Sequence, residues 1–542
     1  MNKPPPLCVA ITALGLACAL VIAWIWQHRN AATSRPVAST SATAPSEIAL
    51  PPPSTGTAAP RLALDTILDA LRRAMARGSA RADEAVLAFK DDAALQAFIA
   101  RAQKAGLSVV ARADGLRTVR VHFDSVDALR DELRSHADDY ASIGANNLVS
   151  IPRVPAKENR PDIEQIPFRN DTLAYLGATG DRSTWGRGVT IAILDSGVNA
   201  DSTFGTGRLR TLDIGQGILP GTGSGDGHGT SVAALAAGMS PDAAGVAPAA
   251  NVLSIRVTDA SGVSDIFTVA QAIVAATDAG AKVINISLGG YSTSAALDAA
   301  IAYAQQQGAI IVAAAGNDQA AQLAWPAADS RVVSVGAIDR AEQQVSFSNS
   351  SPSLQLTAPG YGVQTAWLDN ERAYVDGTSA SAPLVAGALA AVLSQNPNLT
   401  PQQAAALLVS TASDGGAPGA DAAYGKGILN VGWVMNSTNP NYVDTAVASH
   451  YYDAASDQVQ FIVQNRSGRS VTGMSLNIAV GGTGSTQTVP SLSPGETYVA
   501  SVSASKSSSS VTYTTQLTNP IGTVDQVPSN NRRTTVLSPP AK

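Results

Sequence analysis

Thiols are scarce in this chain of 542 residues, because its two cysteines are Cys8 and Cys18 and no position after residue 18 carries one. Disulfides, cysteine nucleophiles and cysteine-ligated zinc are therefore excluded for the rest of the chain. Histidine is also scarce, and of the five in the chain only His228 lies between residues 160 and 437. A multi-histidine metal site is excluded there, so any imidazole chemistry in that region depends on His228.

Charge is low as well. Charged residues make up 14% of the chain, and the formal net charge of -6 provides no cationic field for a phosphate backbone. We therefore expect no nucleic-acid partner. In contrast, 45% of the residues are hydrophobic, and the chain is longer than one hydrophobic core usually serves. Three or more folded units are expected.

The first segment is long and apolar. Residues 7–26 are interrupted only by Thr12, and as a helix they would span roughly 30 Å, the thickness of a bilayer core. No A-x-A-like cleavage site follows, which favours an uncleaved membrane anchor over a signal peptide. Either alternative, assigned to residues 1–30, places the remainder outside the cytoplasm, and the missing thiols fit an oxidising compartment. Residues 31–60, rich in Ala, Ser, Thr and Pro, are predicted to be a disordered linker.

Three folded units are predicted after the linker. Residues 61–155 follow the order strand, helix, two strands, helix, strand, which is that of a ferredoxin-like α+β unit. Residues 160–437 alternate near-continuous apolar strands with helical stretches, which predicts an α/β unit with a parallel sheet covered by helices on both faces. Residues 440–538 carry short Ser/Thr/Val strands with frequent turn signals, which predicts an all-β, Ig-like sandwich.

Three of the predicted parallel strands end in polar or glycine residues. VTIAIL ends at Asp195, KVINISL at Gly289 and AIIVAAA at Gly316-Asn317. Because ligands bind at the carboxyl ends of parallel strands, these segments are expected to share one edge of the sheet. His228 and Ser379 open two helices of small residues, and Ser379 should lie at the positive end of a buried helix.

These residues include every part that nucleophilic serine catalysis needs. Ser379 would attack a carbonyl, His228 would take its proton and return it to the leaving amine, and Asp195 would orient His228. The Asn317 side chain, with the backbone N–H of Ser379, would donate to the oxyanion. Read one at a time, these positions have simpler structural explanations, such as helix caps, loop residues or a buried core histidine. Their joint order and spacing argue against that account.

Five segments carry a family resemblance. They are AILDSGV around Asp195, DGHGT around His228, ISLGG at residues 286–290, AAAGN ending at Asn317 and GTSASAP around Ser379. Together they resemble subtilisin-like serine proteases, the subtilases or peptidase family S8, which have the same chain order Asp, His, Ser. The resemblance implies a bacterial serine endopeptidase that acts on protein or peptide substrates.

The resemblance also implies subsites. The backbone of Ser287, Leu288 and Gly289 would pair with the substrate as an added strand. Gly316 is a further expected substrate-binding residue, and Ala324 would form the floor of the primary specificity pocket. A small apolar floor is expected to admit medium to large apolar side chains and to offer no anchor for Lys or Arg, although Asp318 at the rim could modestly favour basic residues.

Some positions depart from the family pattern. Ser231 and Leu384 stand where the family has His, and Ala234 stands where it has Gly, which affects subsite shape rather than the catalytic residues. No cofactor and no metal ligand set is expected. A structural calcium ion is left open, because the segment between His228 and Gly245 is shorter than a calcium-binding subtilisin loop and lacks dense oxygen ligands.

The flanking units resemble modules found beside such proteases. Residues 61–155 resemble an inhibitor I9-like propeptide, which would act as an intramolecular chaperone and inhibitor until self-cleavage within residues 151–165. If the anchor is retained, that cleavage would free the protease from the membrane. Residues 440–538 resemble a CARDB-like module, interpreted as a stabilising cap or spacer rather than an adhesin. The alternative function is a catalytically silent surface binding protein that uses this module.

Overall fold

The computed structural model describes residues 59–156, 164–214, 226–504 and 510–537. The predicted membrane segment and almost all of the predicted linker lie outside the described residues. So does the middle of the predicted self-cleavage segment.

The N-terminal unit is a four-stranded antiparallel sheet with helices. Helix α1 (Ala59–Ala76) precedes it, and the unit then runs β1 (Ala80–Phe89), α2 (Asp92–Arg101), β2 (Leu107–Ala113), β3 (Thr118–Phe123), α3 (Val126–Ser135) and β4 (Tyr140–Ser150). The spatial order β2-β3-β1-β4 is that of the predicted ferredoxin-like unit. Capping side chains set the helix starts, because Asp91 accepts from Ala94 N and Ser125 accepts from Ala128 N.

The central unit is a seven-stranded parallel sheet. Its strands are β5 (Thr190–Asp195), β6 (Leu209–Thr211), β7 (Asn251–Arg256), β9 (Val283–Ile286), β10 (Ile310–Ala314), β11 (Val333–Ile338) and β12 (Leu356–Pro359). Their order is β12-β11-β10-β9-β5-β7-β6, and every pairing among them is parallel. The predicted parallel sheet is confirmed. The edge strands β6 and β12 have no long apolar run, so the sequence pattern did not predict them.

Helices cover both faces of this sheet. They are α4 (Thr172–Tyr175), α5 (Asp226–Ala237), α6 (Ile266–Asp278), α7 (Ala295–Gln306), α8 (Thr378–Gln395), α9 (Pro401–Ser410) and α10 (Val431–Asn436). One buried cluster joins α5, α8 and α9 to sheet residues such as Ile191 and Ile193. A second joins α6 and α7 to the opposite side chains, such as Ala192 and Leu194. The alternation along β5 therefore serves two cores.

Helix α8 is the one described helix whose length and apolar composition would allow it to cross a membrane. It is 83% buried inside the protein. Its residues from Thr378 to Leu393 are buried against the sheet and neighbouring helices. Its apolar character therefore reflects its place at the centre of the core.

A short strand of the central unit joins the N-terminal sheet. Strand β8 (Val263–Asp265) pairs antiparallel with the end of β4, with Leu148 opposite Asp265 and Ser150 opposite Val263. The three residues of β8 are too few to give a periodic signal, so the sequence did not predict this pairing. It continues the N-terminal sheet onto the central unit.

The C-terminal unit is an antiparallel sandwich. One sheet has the strand order β15 (Thr445–Asp453), β16 (Gln458–Asn465), β19 (Thr497–Ser503). The other sheet has the strand order β18 (Thr483–Thr488), β17 (Ser475–Val480), β20 (Val511–Thr518), β21 (Arg532–Leu537). Phe461, Leu476 and Tyr513 lie in the core between them. The polar, exposed strand β18 was not predicted.

In the central unit, a hairpin formed by β13 (Val363–Ala366) and β14 (Arg372–Val375) precedes α8.

Candidate active site

An aspartate and a histidine meet at the carboxyl end of β5. Asp195 is the last residue of β5 and is fully buried, and its Oδ1 lies 2.7 Å from His228 Nδ1. The same oxygen accepts from Ser196 N at 2.7 Å. The His228 side chain remains 18% exposed, so the imidazole is held by Asp195 and is still partly accessible. This geometry suits a carboxylate that selects the tautomer and orientation of an imidazole.

Close backbone packing holds the start of α5 against the loop after β5. A Cβ atom on Gly229 would lie 2.2 Å from Gly197 O, so only glycine fits there. Gly229 N donates to Ser196 Oγ, and Asn199 N donates to Thr230 Oγ1. These contacts set the distance between Asp195 and His228. The motif letters DSG and HGT contain all of these residues except Asn199, but nothing in the sequence showed that they touch one another.

Ser379 lies on the same edge, in the first turn of α8. Its side chain is buried, and its Oγ donates to Ser287 O at 3.3 Å. In return, Ser287 Oγ donates to Ser379 O at 3.2 Å and is itself held by Asn285 Nδ2 at 3.0 Å. Ser287 follows β9, so these bonds join the start of α8 to the strand beside β5.

Asn317 presents its amide nitrogen to the cleft. Its Oδ1 accepts from both the backbone N and the Oγ1 of Thr378, each at 3.0 Å, and this sets the orientation of the amide. A Cβ atom on Gly377 would lie 3.0 Å from Asn317 Nδ2, and Gly377 has a φ of 127°. The amide nitrogen Nδ2 donates to the carbonyl oxygen of Pro152 at 3.1 Å. An amide group held in this way can donate to an oxygen that gains negative charge.

Asn349 supports the loop that carries Asn317. It is fully buried, and its Oδ1 accepts from Asp318 N at 3.0 Å and from Ala320 N at 2.9 Å. Its Nδ2 donates to Ala315 O and to the hydroxyl of Tyr291, and its backbone N donates to Gly316 O. Sequence reasoning missed Asn349, because it lies between two strands in a polar run, FSNSSPS, that reads as an ordinary loop.

The rim residue Asp318 is engaged by its neighbours. Its Oδ2 accepts from the Tyr291 hydroxyl in a short hydrogen bond. Burial, and then this bond to Asp318, raise the pKa of Tyr291 above its ordinary value. The carboxylate that was expected to favour basic substrate residues therefore already has a donor.

The expected substrate-binding residues lie together. Gly289 and Gly316 both approach Ala324, since Cβ atoms built on them would lie 3.0 and 3.5 Å from its Cβ. Trp325 N donates to Gly290 O at 2.7 Å, which fixes the segment after Ala324 beside the one after β9. The Leu288 side chain is buried in the core, so Leu288 can offer only its backbone to a ligand.

Residues of the N-terminal unit occupy the cleft. Ser150 and Gly289 exchange two backbone hydrogen bonds of 2.9 Å, and Ile151 N donates to Gly262 O at 3.0 Å. Pro152 then reaches Asn317, as described above. Further along, Val154 packs against a small apolar cluster that includes Phe347. The chain from Ser150 to Val154 thus crosses the edge where Asp195, His228, Ser379 and Asn317 lie.

A metal ion has no obvious place in the described parts of the chain, where no group of three or more His, Cys, Asp or Glu side chains could hold one. The expectation about calcium therefore rests on the sequence alone.

Ser231, one of the positions that depart from the family pattern, donates to His228 O at 2.7 Å and helps to close the first turn of α5.

Fold and site together define a serine hydrolase built on a parallel α/β sheet. A model of the subtilase family, peptidase S8, matches residues 186–427. Subtilisin Savinase from Lederbergia lenta is 35% identical over 255 residues, which are 47% of this chain and 93% of that relative. Alkaline elastase YaB from a Bacillus species is 29% identical over 352 residues, covering 64% of this chain and 89% of that relative.

The chain therefore belongs to the subtilase family. It is a subtilisin-like serine protease, whose substrates are proteins or peptides. The epidermin leader peptide processing serine protease from Staphylococcus aureus has a similar fold, with a TM-score of 0.53 at 22% identity over 66% of this chain and 99% of that one.

Proposed function

We propose that the protein is an extracytoplasmic serine endopeptidase made as a self-processing zymogen, with Asp195, His228 and Ser379 as catalytic triad. The observation that carries the proposal is the position of Pro152. Its carbonyl oxygen accepts from Asn317 Nδ2, and the segment before it is paired with Gly289 as an added strand. A peptide carbonyl held in this way beside Ser379 is placed like that of a substrate.

The proposed reaction begins at that carbonyl. Ser379 Oγ forms a bond to the carbonyl carbon while His228 takes the hydroxyl proton, and Asp195 stabilises the imidazolium. Asn317 Nδ2 and the backbone N–H of Ser379 donate to the oxyanion. His228 then gives the proton to the leaving amine as the peptide bond breaks. A water molecule then attacks the ester carbonyl carbon while His228 takes its proton, and His228 returns that proton to Ser379 Oγ as the ester bond breaks. This route uses no cofactor.

We infer that residues 61–155 act as an inhibitory propeptide. Strand β4 and β8 form one continuous ladder, and residues after β4 fill the cleft. Side chains of α7 and of the N-terminal unit also share a core, which includes Val86, Ala113 and Val149. A folded partner packed on two helices of a slowly folding parallel sheet can stabilise that sheet while it forms.

The proposed self-cleavage site is the bond between Pro152 and Arg153. It lies within the segment 151–165 that the sequence indicated, and the Pro152 carbonyl is the one held by Asn317. The new α-amino group would be that of Arg153. If residues 7–26 are an uncleaved anchor, this cleavage would release the catalytic unit from the membrane.

The C-terminal sandwich is proposed to be a stabilising cap. Arg533 of β21 forms an ion pair with Glu342 of the catalytic unit at 2.6 Å, and Gln464 of β16 accepts from Asp414 N and donates to Ala412 O. These contacts favour a docked unit over a flexible spacer. The alternative of a silent binding protein would require an inactive cleft, and the pairing of Asp195 with His228 argues against it.

The proposal predicts that Ser379→Ala blocks processing. The purified full chain should become labelled by a fluorophosphonate, digest casein and acquire a new N-terminus at Arg153. The Ser379→Ala variant should remain full length and unlabelled, because the bond-forming hydroxyl is missing. As a matched control, Ser381→Ala removes a neighbouring buried hydroxyl that donates to Ala358 O and should leave labelling intact. Normal processing of Ser379→Ala would overturn the self-cleavage proposal.

A further inference from the structure

A proline stands at the position that faces Ser287. Ser150 and Gly289 exchange both of their backbone hydrogen bonds. An antiparallel ladder continued by two residues on each strand would place residue 152 opposite Ser287. Any other amino acid there would donate its backbone N–H to Ser287 O. Proline has no N–H, and that bond cannot form.

The Ser287 carbonyl takes a different donor. It accepts the hydroxyl of Ser379 at 3.3 Å. Within the described residues no hydrogen bond joins Ser379 to His228, whose ring is bonded only to Asp195. The hydroxyl that is proposed to attack the Pro152 carbonyl is therefore hydrogen-bonded to a backbone oxygen and not to the proposed base.

The rest of the bound segment is held as a substrate would be. Gly262 O accepts from Ile151 N on one side, and Asn317 Nδ2 donates to the Pro152 carbonyl on the other. Leu148 also lies close to the segment after β9, because a Cβ atom on Gly290 would come within 2.9 Å of Leu148 O. The segment 148–152 thus makes its other described contacts with the cleft. The hydrogen bond to Ser287 O is the one that proline at position 152 cannot make.

We propose that Pro152 slows self-cleavage and makes residues 148–152 a slowly cleaved inhibitor of the same site. Without an N–H at position 152, Ser287 O keeps the Ser379 hydroxyl away from His228, and the nucleophile is seldom in position to transfer its proton. The step itself is unchanged: the bond from Ser379 Oγ to the carbonyl carbon of Pro152 forms, the bond to Arg153 N breaks, and the proton passes through His228 to that nitrogen. This inference rests on the proposed function.

The test compares two single substitutions in the full chain. Pro152→Ala restores an N–H opposite Ser287, whereas Pro155→Ala removes a proline from the same segment without changing that position. Pro152→Ala should speed the appearance of the N-terminus at Arg153 by about tenfold, the order expected for one added hydrogen bond that also frees the nucleophile. Pro155→Ala should process at the rate of the unmodified chain. Equal rates for Pro152→Ala and the unmodified chain would overturn the proposal, as would equal acceleration by both substitutions.

A second measurement does not depend on how the variants fold. Two peptides that span residues 146–156, one with the natural sequence and one with Ala in place of Pro152, are given to the processed enzyme. The natural peptide should inhibit casein hydrolysis and persist, and the other should be cut after position 152 about tenfold faster. Similar cleavage of both peptides contradicts the proposal. Fluorophosphonate labelling distinguishes failure of the proposed protease function from failure of the proposed role of Pro152. An unlabelled Ser379 would refute the protease function itself. Normal labelling with equal cleavage rates would refute only the role of Pro152.

Discussion

Asn349 is fully buried and holds the loop that carries Asn317. Its side-chain oxygen accepts from two backbone N–H groups of that loop, and its nitrogen donates to Ala315 O just before it. An oxyanion donor must lie within a few tenths of an ångström of its place to act in the transition state. Asn349 is thus a positioning residue for Asn317.

Replacing Asn349 with Ala should lower kcat about tenfold and leave KM nearly unchanged, because the transition state depends on Asn317 more than the bound substrate does. In a subtilisin, complete loss of such a donor costs about 10² to 10³ in kcat. The measurement is a double-mutant cycle with Asn317→Ala, with melting temperatures recorded for each variant. If Asn349→Ala lowers kcat equally in both backgrounds, it does not act through Asn317.

At the scale of elements, Asp265 has two tasks at the start of α6. Its Oδ1 accepts from Thr268 N at 2.9 Å and caps the helix, and its Oδ2 accepts from Arg81 of the N-terminal unit at 3.1 Å. Arg120 lies 3.5 Å from the same oxygen and forms two further hydrogen bonds with Glu84. The carboxylate is almost fully buried between the two units, so its charge is paired across their interface.

Asp265→Asn should weaken the hold of the cleaved N-terminal unit without loosening α6, because asparagine caps a helix as well as aspartate does. Removing the charge of Asp265 leaves two partly buried guanidinium groups with less negative charge beside them, and we expect at least a tenfold faster dissociation. The measurement is the fraction of the 61–152 fragment that co-elutes with the processed enzyme over time. Asp265→Ala, which loses the cap as well, should also lower the melting temperature. Unchanged dissociation of Asp265→Asn would show that the ion pairs are not what holds the fragment.

At the scale of the whole molecule, two acids, Glu342 and Asp414, lie where the C-terminal sandwich meets the catalytic unit, and their pKa values are shifted in opposite directions. Burial alone would raise the pKa of Glu342, but the Arg533 guanidinium outweighs it and holds that pKa below its ordinary value. Burial raises the pKa of Asp414 to about 6, although Gly419 N donates to it. No described residue donates to its other oxygen, Oδ1.

The sign of the Asp414 effect follows from proton binding. Between its ordinary pKa and about 6, folded Asp414 holds a proton that the unfolded chain releases, so the free energy of unfolding falls as pH rises through that window. Asp414→Asn should therefore raise the melting temperature by a few degrees at pH 8, a gain on the order of 2 kcal/mol, and by little near pH 4.

Calorimetry in the Ser379→Ala background avoids self-digestion during this measurement. Asp421→Asn is the comparison variant: burial raises the pKa of Asp421 as well, but three backbone N–H groups, from Ala417, Ala423 and Tyr424, donate to its carboxylate and oppose that shift, so its gain in stability at pH 8 should be smaller. An unchanged pH profile for Asp414→Asn would rule out its part in the pH dependence.

The sequence by itself determined five of the seven strands of the central sheet and the candidate residues at its edge. Apolar runs such as those of β5 and β10, and the polar residues directly after them, are signals that act over a few neighbouring positions. The ferredoxin-like order and most strands of the sandwich could be predicted for the same reason. The roles of Asp195, His228, Ser379 and Asn317 stay predictions, although the structure brings the four residues together.

Tertiary structure alone decided which segments meet across long stretches of chain. The approach of Gly229 to Gly197, the support of Asn317 by Asn349, the addition of β8 to the N-terminal sheet and the contact of Pro152 with Asn317 all depend on the register between distant strands and loops. Packing decides these contacts, because close packing selects one mutual arrangement that no local pattern specifies.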